Sequence, residues 1–144
     1  MSQITPKTAR ARAKPPIVIG DTDHRNLSAL AIATEGRMPE VSATLLDELD
    51  RAKVVPQARV PAHAIQMGST VRYRTADAAE REVTLVLPGE ANIDLGRISI
   101  MTPIGTALIG LSRGQSITWT SRDGREQELS IISVEMPATD GAEA

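Results

Sequence analysis

A short apolar stretch with helix signals lies between two strand-like runs in the C-terminal half of the chain. The segment Ile98–Trp119 has the sequence ISIMTPIGTALIGLSRGQSITW. Thr102 is a residue type that caps helices, Pro103 suits a first helical position, and Gly110 suits the residue after a helix. We therefore predict a strand, a short helix over 103–109 and a second strand. Because a sheet with one apolar face needs a cover, this helix is predicted to lie inside the curve of the sheet.

The aromatic content limits which sites the chain can build. It has no Phe, one Tyr and one Trp among 144 residues, so the core must be aliphatic, and aromatic-lined pockets and base-stacking platforms are nearly excluded. The absence of cysteine excludes disulfides, thiol nucleophiles and cysteine-ligated zinc. A net charge of -2 gives no overall basic field for nucleic acid. No apolar run is long enough to span a membrane, and we expect a cytoplasmic protein.

Helical periodicity first appears just after a short strand signal at 17–20. Apolar residues of the stretch 24–36 recur at helical spacing. Asp21 and Asp23 offer N-cap groups and first-turn acids, which suit the positive end of a helix. Gly36 is predicted to end this helix, and Pro39 blocks its continuation.

A second helix is predicted over 41–53, where apolar residues again fall on one face. Ser42 is its candidate cap. The acidic residues around Glu48 are interpreted as a solvated face, with Asp47 and Arg51 spaced to pair one turn apart. Two such helices joined by a short turn form an antiparallel hairpin, and each is about 20 Å long.

Alternating apolar and polar residues dominate the chain after Val54. Strands are predicted over 69–75 and 81–88, with Val83, Leu85 and Leu87 facing inward in the latter. Two further strands, 116–121 and 126–135, flank an Asp-Gly turn typical of a hairpin. The prediction is a meander-like antiparallel sheet.

The predicted fold class is α+β, with a short N-terminal antiparallel helical hairpin before an antiparallel β domain that carries one short helix. The predicted organisation is a disordered basic tail (1–16), the helical hairpin (17–55), a linker (56–68), the β domain (69–136) and a flexible tail (137–144).

The sequence shows no catalytic constellation. His24 and His63 lie in different segments, and neither is expected to act as a metal ligand or acid–base group. No phosphate-binding loop, dinucleotide fingerprint or nucleophile elbow is present. Asp21 and Asp23 are compatible with a bound cation, although N-capping explains them without one. We predict a protein that is not an enzyme, with no cofactor, no metal and no small-molecule substrate.

Three motifs carry a resemblance to a known family. They are LLDELDRAKVV (45–55), VPAHAIQMGSTVRYR (60–74) and MTPIGTALIGL (101–111). Together they resemble the Rnk family, the regulators of nucleoside diphosphate kinase, which is related to the Gre transcript-cleavage factors. The resemblance covers roughly residues 17–135. It implies an FKBP-like C-terminal domain and, as partner, RNA polymerase at the rim of its secondary channel.

The resemblance also implies a docking surface at the loop that enters the short helix. Its candidate residues here are Ile100, Met101, Thr102, Pro103, Ile104 and Gly105. Many Gre factors have an acidic residue where this chain has Met101, so a more apolar contact is expected. Capping of the helix alone is the alternative role for Thr102 and Pro103.

The hairpin length sets what such docking can achieve. Cleavage factors reach the polymerase active site with a long coiled coil tipped by two acidic residues, and a span of about 45 Å needs roughly 30 residues per helix. Here each helix has about a dozen. The tip carries Glu35, Gly36, Arg37 and Glu40. We expect the protein to occupy the channel entrance and compete with cleavage factors without stimulating cleavage.

Other functions remain open at this stage. One is regulation of nucleoside diphosphate kinase, directly or through transcription. Another is prolyl isomerase activity, which an FKBP-like fold raises, although Tyr73 and Trp119 are too few aromatic residues to line its pocket. A third is weak DNA contact through the basic tail, which contains Lys7, Arg10, Arg12 and Lys14. A monomer is expected.

Overall fold

The protein has an α+β architecture, as predicted. The structure, a computed structural model, describes residues 15–120 and 123–137. In chain order the elements are β1 (Val18–Gly20), α1 (Asp21–Thr34), α2 (Pro39–Arg51), β2 (Lys53–Val55), β3 (Thr70–Thr75), β4 (Glu80–Val86), β5 (Arg97–Ser99), α3 (Pro103–Leu108), β6 (Ser116–Thr120) and β7 (Glu126–Glu135). Short 3-10 turns occur at Gln57–Arg59, Pro88–Glu90 and Ile93–Leu95.

Helices α1 and α2 pack on each other through one apolar face of each. That interface buries Leu27, Ala31, Leu45 and Leu49. A polar contact also crosses it, because the hydroxyls of Thr34 and Ser42 lie 2.9 Å apart and both residues are buried. The four-residue turn 35–38 joins the helices.

The predicted helix caps were wrong in detail. Helix α2 begins at Pro39 with Met38 at the N-cap position, so Ser42 lies inside the helix and cannot cap it. Helix α1 ends at Thr34 with Glu35 as its C-cap, and Gly36 does not adopt a left-handed conformation. No side chain of α1 caps its own N-terminus. Helix α2 thus starts three residues before Ser42, and α1 ends two residues before Gly36.

The large sheet is not a meander. Its strand order is β5-β4-β3-β7-β6, so the last strand lies between β3 and β6. The β3/β4, β3/β7 and β6/β7 pairs are antiparallel, and the β6/β7 hairpin is confirmed. However, β4 and β5 are parallel, because the segment 87–96 returns the chain to the same end of the sheet. Leu87 is exposed rather than inward, since β4 ends at Val86.

A second, two-stranded sheet joins the ends of the helical part. Strands β1 and β2 pair in parallel, with Ile19 opposite Val54. Lys53 therefore belongs to a strand and not to the end of the predicted second helix. Strand β1 also contacts the C-terminal half of the chain, because Val18 N donates to Gly110 O at 3.1 Å.

The segment 56–68, predicted as a linker, packs into the core. It buries Val60, Ala64 and Ile65. The backbone of Ile65 accepts from Gly110 N at 3.0 Å and donates to Leu111 O at 2.8 Å. The helical part and the sheet consequently share one continuous hydrophobic core.

The short helix α3 is the centre of that core, and its boundaries match the prediction closely. Thr102 Oγ1 accepts from Gly105 N at 3.0 Å, Pro103 is the first helical residue, and Gly110 has a φ of 83°. Leu108, Ile109 and Leu111 are fully buried. Residues 1–14 of the predicted basic tail and 138–144 of the C-terminal tail lie outside the described residues.

Candidate functional site

Half of the predicted docking residues are buried. Ile100 is 0% and Met101 2% exposed, and Gly105 is also buried. Thr102, Pro103 and Ile104 are half-exposed. The side chain of Met101, which we expected to make the contact more apolar, packs in the core instead of at the surface. The accessible surface is a corner of three residues, Thr102–Ile104, which we call the docking corner.

The docking corner is held rigidly by its neighbours. Thr102 Oγ1 donates to Ser99 O at 2.7 Å and accepts from Gly105 N, which closes the turn between β5 and α3. A methyl group on Gly105 would collide with Ser99 O, so only glycine permits this approach. These contacts fix the position of Pro103 at the corner.

The predicted hairpin tip is exposed. Glu35, Gly36, Arg37 and Glu40 all lie on the surface around the turn 35–38. The backbone of the turn is closed by Arg37 N and Met38 N, which both donate to Thr34 O at 3.0 and 2.8 Å.

A cleft of about 700 Å³ separates the start of α2 from α3 and β6. The residues that line it are Arg37, Met38, Pro39, Glu40, Val41, Thr44, Glu48, Pro103, Thr106, Ala107, Ile117, Thr118, Trp119 and Thr120. The docking corner and the tip thus both border one cavity, through Pro103 and Arg37. Trp119 Nε1 is buried in this wall without a hydrogen-bond partner among the described residues.

Glu48 is the cleft residue that the sequence analysis placed wrongly. Its side chain is 1% exposed rather than solvated, and its Oε1 accepts from Arg51 Nε at 2.8 Å. Arg51 therefore pairs three residues back and not with Asp47. The helical spacing alone did not show that the short helix α3 would pack against α2.

A polar joint connects α1 to the segment after β2. Gln57 Oε1 accepts from Asp23 N at 2.9 Å, while its Nε2 donates to Asp23 Oδ2 at 3.2 Å and to Gln66 Oε1 at 3.0 Å. Met67 N also donates to Asp23 Oδ2 at 3.2 Å. Asp21 Oδ1 accepts from the Gln57 backbone N–H. The side chain of Gln57 therefore caps the N-terminus of α1, a role that we predicted for Asp21 and Asp23.

The environment of Asp23 shifts its titration. Burial raises the pKa of this carboxyl above 3.8, and the hydrogen bonds from Met67 and Gln57 oppose the shift without cancelling it. Both Asp21 and Asp23 are thereby engaged in hydrogen bonds within the fold, which accounts for them without a bound cation.

The remaining titratable candidates do not assemble into a site. His24 Nε2 lies 3.1 Å from Leu49 O, and His63 is on the surface of the segment after β2. Within residues 15–120 and 123–137, no group of three His, Cys, Asp or Glu side chains is arranged to hold a metal ion. No helix in that part of the chain is long and apolar enough to cross a membrane.

Two family models match the chain in succession. Residues 15–55 match the Rnk N-terminus, and residues 60–136 match the C-terminal family of the transcription elongation factors GreA/GreB. The boundary between the matches falls at the 3-10 turn 57–59. Together they include the helical part, the docking corner and all five strands of the large sheet.

Individual relatives agree with this division. The regulator of nucleoside diphosphate kinase of Escherichia coli strain K12 is 31% identical over 124 residues, which are 85% of this chain and 91% of that protein. A GreA factor of Thermodesulfovibrio yellowstonii is 38% identical over 85 residues, or 58% of this chain and 51% of that protein.

Among solved structures, a GreA/GreB factor from Nitrosomonas europaea superposes with a TM-score of 0.68 at 35% identity. The match covers 85% of this chain and 100% of that one. The overall fold, the two consecutive family models and the full-length relative therefore agree, and the chain belongs to the Rnk family of GreA/GreB-related proteins.

Proposed function

We propose that this protein is a non-enzymatic regulator of transcription that binds RNA polymerase at the rim of its secondary channel. In this proposal the two helices form an antiparallel hairpin and the C-terminal part is an FKBP-like docking domain. The observation that carries the proposal is the docking corner, since Thr102 and Gly105 hold Pro103 at the surface in a family of elongation-factor relatives.

The helix lengths then set the consequence of docking. Helix α1 has 14 residues and α2 has 13, so each spans about 20 Å. Glu35 and Glu40 are exposed at the tip but cannot be carried deep into a channel by helices of this length. Bound protein would occupy the channel entrance and exclude cleavage factors without stimulating cleavage itself.

A competition experiment tests both statements. A stalled elongation complex is incubated with a labelled cleavage factor and increasing amounts of the protein, and both transcript length and bound factor are followed. We expect the labelled factor to be displaced and the transcript to keep its length. Shortening of the transcript by this protein alone would contradict the proposal.

The docking corner is tested by Pro103→Ala, with Pro88→Ala as the matched control. Both prolines are the first residues of short helical turns, and Pro88 is exposed and lies outside the corner Thr102–Ile104. We expect Pro103→Ala to weaken competition at least about tenfold while Pro88→Ala competes like the wild type. If Pro103→Ala folds normally and competes equally well, the corner is not the docking surface.

Regulation of nucleoside diphosphate kinase is the second candidate function, because the full-length relative is named for it. Purified kinase assayed with and without this protein separates a direct effect from one through transcription. Prolyl isomerase activity is a weaker candidate, since Trp119 is the one aromatic side chain among the residues that line the cleft. A protease-coupled prolyl-peptide assay tests it.

A further inference from the structure

Strand β5 has one side that does not face its neighbour β4. Among the strands that the structure describes, β5 is the outermost on its side of the large sheet. Toward β4, Gly96 O accepts from Thr84 N at 2.7 Å and Ile100 N donates to the β4 backbone at 2.8 Å. Because hydrogen-bonding direction alternates along a strand, Arg97 and Ser99 direct their N–H and C=O groups to the other side. We call this outer side the β5 edge.

Two separate parts of the chain cover the β5 edge side by side. Arg97 and Asn92 exchange two backbone hydrogen bonds, both of 2.9 Å. Two residues further along the strand, Ser99 O accepts from Thr102 Oγ1 at 2.7 Å. Residues two positions apart on such a strand are separated by about 7 Å. The turn 92–96, which we call the edge turn, and the docking corner are therefore neighbours on one edge of the sheet.

The edge turn exposes two large apolar side chains. Among the large apolar residues that the structure describes, Ile93 has the greatest exposed fraction, 78%, and Leu95 is 61% exposed. A single exposed apolar side chain needs no explanation, whereas two in one turn beside another accessible apolar residue, Pro103, indicate an interaction surface.

Hydrogen bonds within the edge turn fix the backbone that carries these side chains. Asn92 Oδ1 accepts from Asp94 N at 3.1 Å, and Asn92 O accepts from Leu95 N at 3.0 Å. Gly96 closes the turn in a left-handed conformation, with a φ of 73°, and its N–H donates to Ile93 O at 3.0 Å. A turn that is already folded loses little conformational freedom when it binds a partner, which favours affinity.

We propose that the docking surface for RNA polymerase extends along the β5 edge from the docking corner to Ile93 and Leu95. This inference rests on the proposed function, because it enlarges the same docking surface. Polymerase is the occupant because the two parts are continuous: a large partner that contacts Pro103 also reaches a turn bonded about 7 Å away along the strand.

The side chains of the edge turn also define the chemistry of the polymerase segment that they contact. Ile93 and Leu95 are stabilised by leaving water only against an apolar surface. Asp94 lies between them in the sequence and is exposed. The partner segment therefore has exposed apolar side chains with a basic residue beside them, which pairs with the Asp94 carboxylate.

Competition with a labelled cleavage factor for polymerase measures the contribution of the edge turn. Complete burial of one isoleucine or leucine side chain changes affinity by about tenfold or more. We expect the double variant Ile93→Ala with Leu95→Ala to compete at least about tenfold more weakly than the wild type. The matched control is Met136→Ala, since Met136 is 54% exposed and follows β7, three strands away from β5. This control is expected to compete like the wild type.

Pro103→Ala in the same assay separates failure of this inference from failure of the proposed function. If the wild type displaces the cleavage factor and Pro103→Ala is weakened while the double variant is not, the docking corner stands and its extension is wrong. If the wild type displaces nothing, the proposed function fails and the extension fails with it. Pro88 lies outside the edge turn, so Pro88→Ala remains a control for both.

An environment-sensitive fluorophore reports the contact directly. The chain contains no cysteine, so Leu95→Cys gives a single attachment point in the full chain, and Met136→Cys gives the control. When polymerase is added, we expect the emission from position 95 to shift to shorter wavelength and that from position 136 to stay constant. Unchanged emission from position 95 in protein that is bound to polymerase would overturn the proposal.

The charge of the polymerase segment is tested with Asp94→Lys. We expect this variant to compete at least about threefold more weakly than the wild type at low ionic strength, and the difference to shrink at high ionic strength because salt screens exposed charges. Competition equal to that of the wild type at low ionic strength would show that no basic residue of polymerase pairs with Asp94.

A second copy of this chain is the alternative occupant of the edge turn. Sedimentation equilibrium of the wild type and of the double variant Ile93→Ala with Leu95→Ala tests it. We expect both proteins to be monomers. A wild-type dimer that the double variant dissociates would show that a second copy covers the edge turn, and it would overturn the proposal.

Discussion

Gln57 is expected to be the residue whose side chain joins the helical part to the rest of the fold. Replacement by alanine removes the acceptor for Asp23 N and the donor for Gln66 Oε1, and Gln66 is buried. A net hydrogen bond contributes about 1 kcal/mol and an unsatisfied buried group costs about 1–3 kcal/mol. We therefore expect Gln57→Ala to lower the free energy of unfolding by about 2–3 kcal/mol. The exposed neighbour Arg59, mutated to alanine, is the matched control.

Gly20 provides a second test of the role of the Gln57 side chain. A methyl group on Gly20 would collide with the amide of the Gln57 side chain, although its φ of -69° and ψ of 151° suit any residue. Gly20→Ala should therefore destabilise the wild type by displacing the Gln57 side chain. In the Gln57→Ala background the same change should be neutral, or stabilising by up to about 1 kcal/mol because it restricts the unfolded chain.

Urea unfolding of the four proteins of this cycle measures the effect, with Trp119 fluorescence and circular dichroism as independent probes. Strong non-additivity is expected, with a coupling of at least about 1 kcal/mol between positions 20 and 57. If the losses in unfolding free energy from the two single substitutions simply add, the Gln57 side chain does not fill the space beside Gly20. The conclusion that Gln57 joins the helical part to the rest of the fold would then be wrong.

Three further predictions concern other parts of the structure. Gly110→Ala should cost about 2 kcal/mol or more in urea unfolding, because φ is 83° and the new methyl would lie 2.8 Å from Ile17 Cβ. The raised pKa of Asp23 means that the folded state binds a proton on this carboxyl more tightly than the unfolded state does. The free energy of unfolding of the wild type should therefore fall relative to that of Asp23→Asn as pH rises from below 3.8 to neutrality. A difference between the two proteins that stays constant with pH would contradict this. Thr102→Ala should cost about 1 kcal/mol through loss of the helix cap, whereas Thr102→Ser should retain stability.

Features that depend on local interactions could be predicted from the sequence. Helix α3 was placed closely because its signals are local: a capping hydroxyl at Thr102, a proline at the first position and a glycine with positive φ at Gly110. The β6/β7 hairpin was equally local, since its two strands flank an Asp-Gly turn. In both cases the residues that determine the structure lie within a few positions of one another.

Features set by distant contacts were missed. The parallel pairs β1/β2 and β4/β5 depend on where intervening segments return the chain, and periodicity does not record that. The aspartates of α1 were predicted as caps because their partner, Gln57, is 34 residues away from Asp23. Glu48 was predicted to be solvated because its own helix shows only that it lies off the apolar face.

The candidate site shows the same division, since only three of the six predicted docking residues, Thr102, Pro103 and Ile104, are accessible. The sequence predicts one surface of six residues, but which of them are buried depends on the core around α3, where Ile100 and Met101 pack. The motif therefore contains both core residues and surface residues. The three half-exposed residues depend on the buried ones for their position. We therefore expect a substitution at Met101 to weaken the proposed docking by destabilising the fold. A substitution at Pro103 is expected to weaken the proposed docking while the stability of the fold is retained. Measuring unfolding beside polymerase competition for both variants separates the two effects.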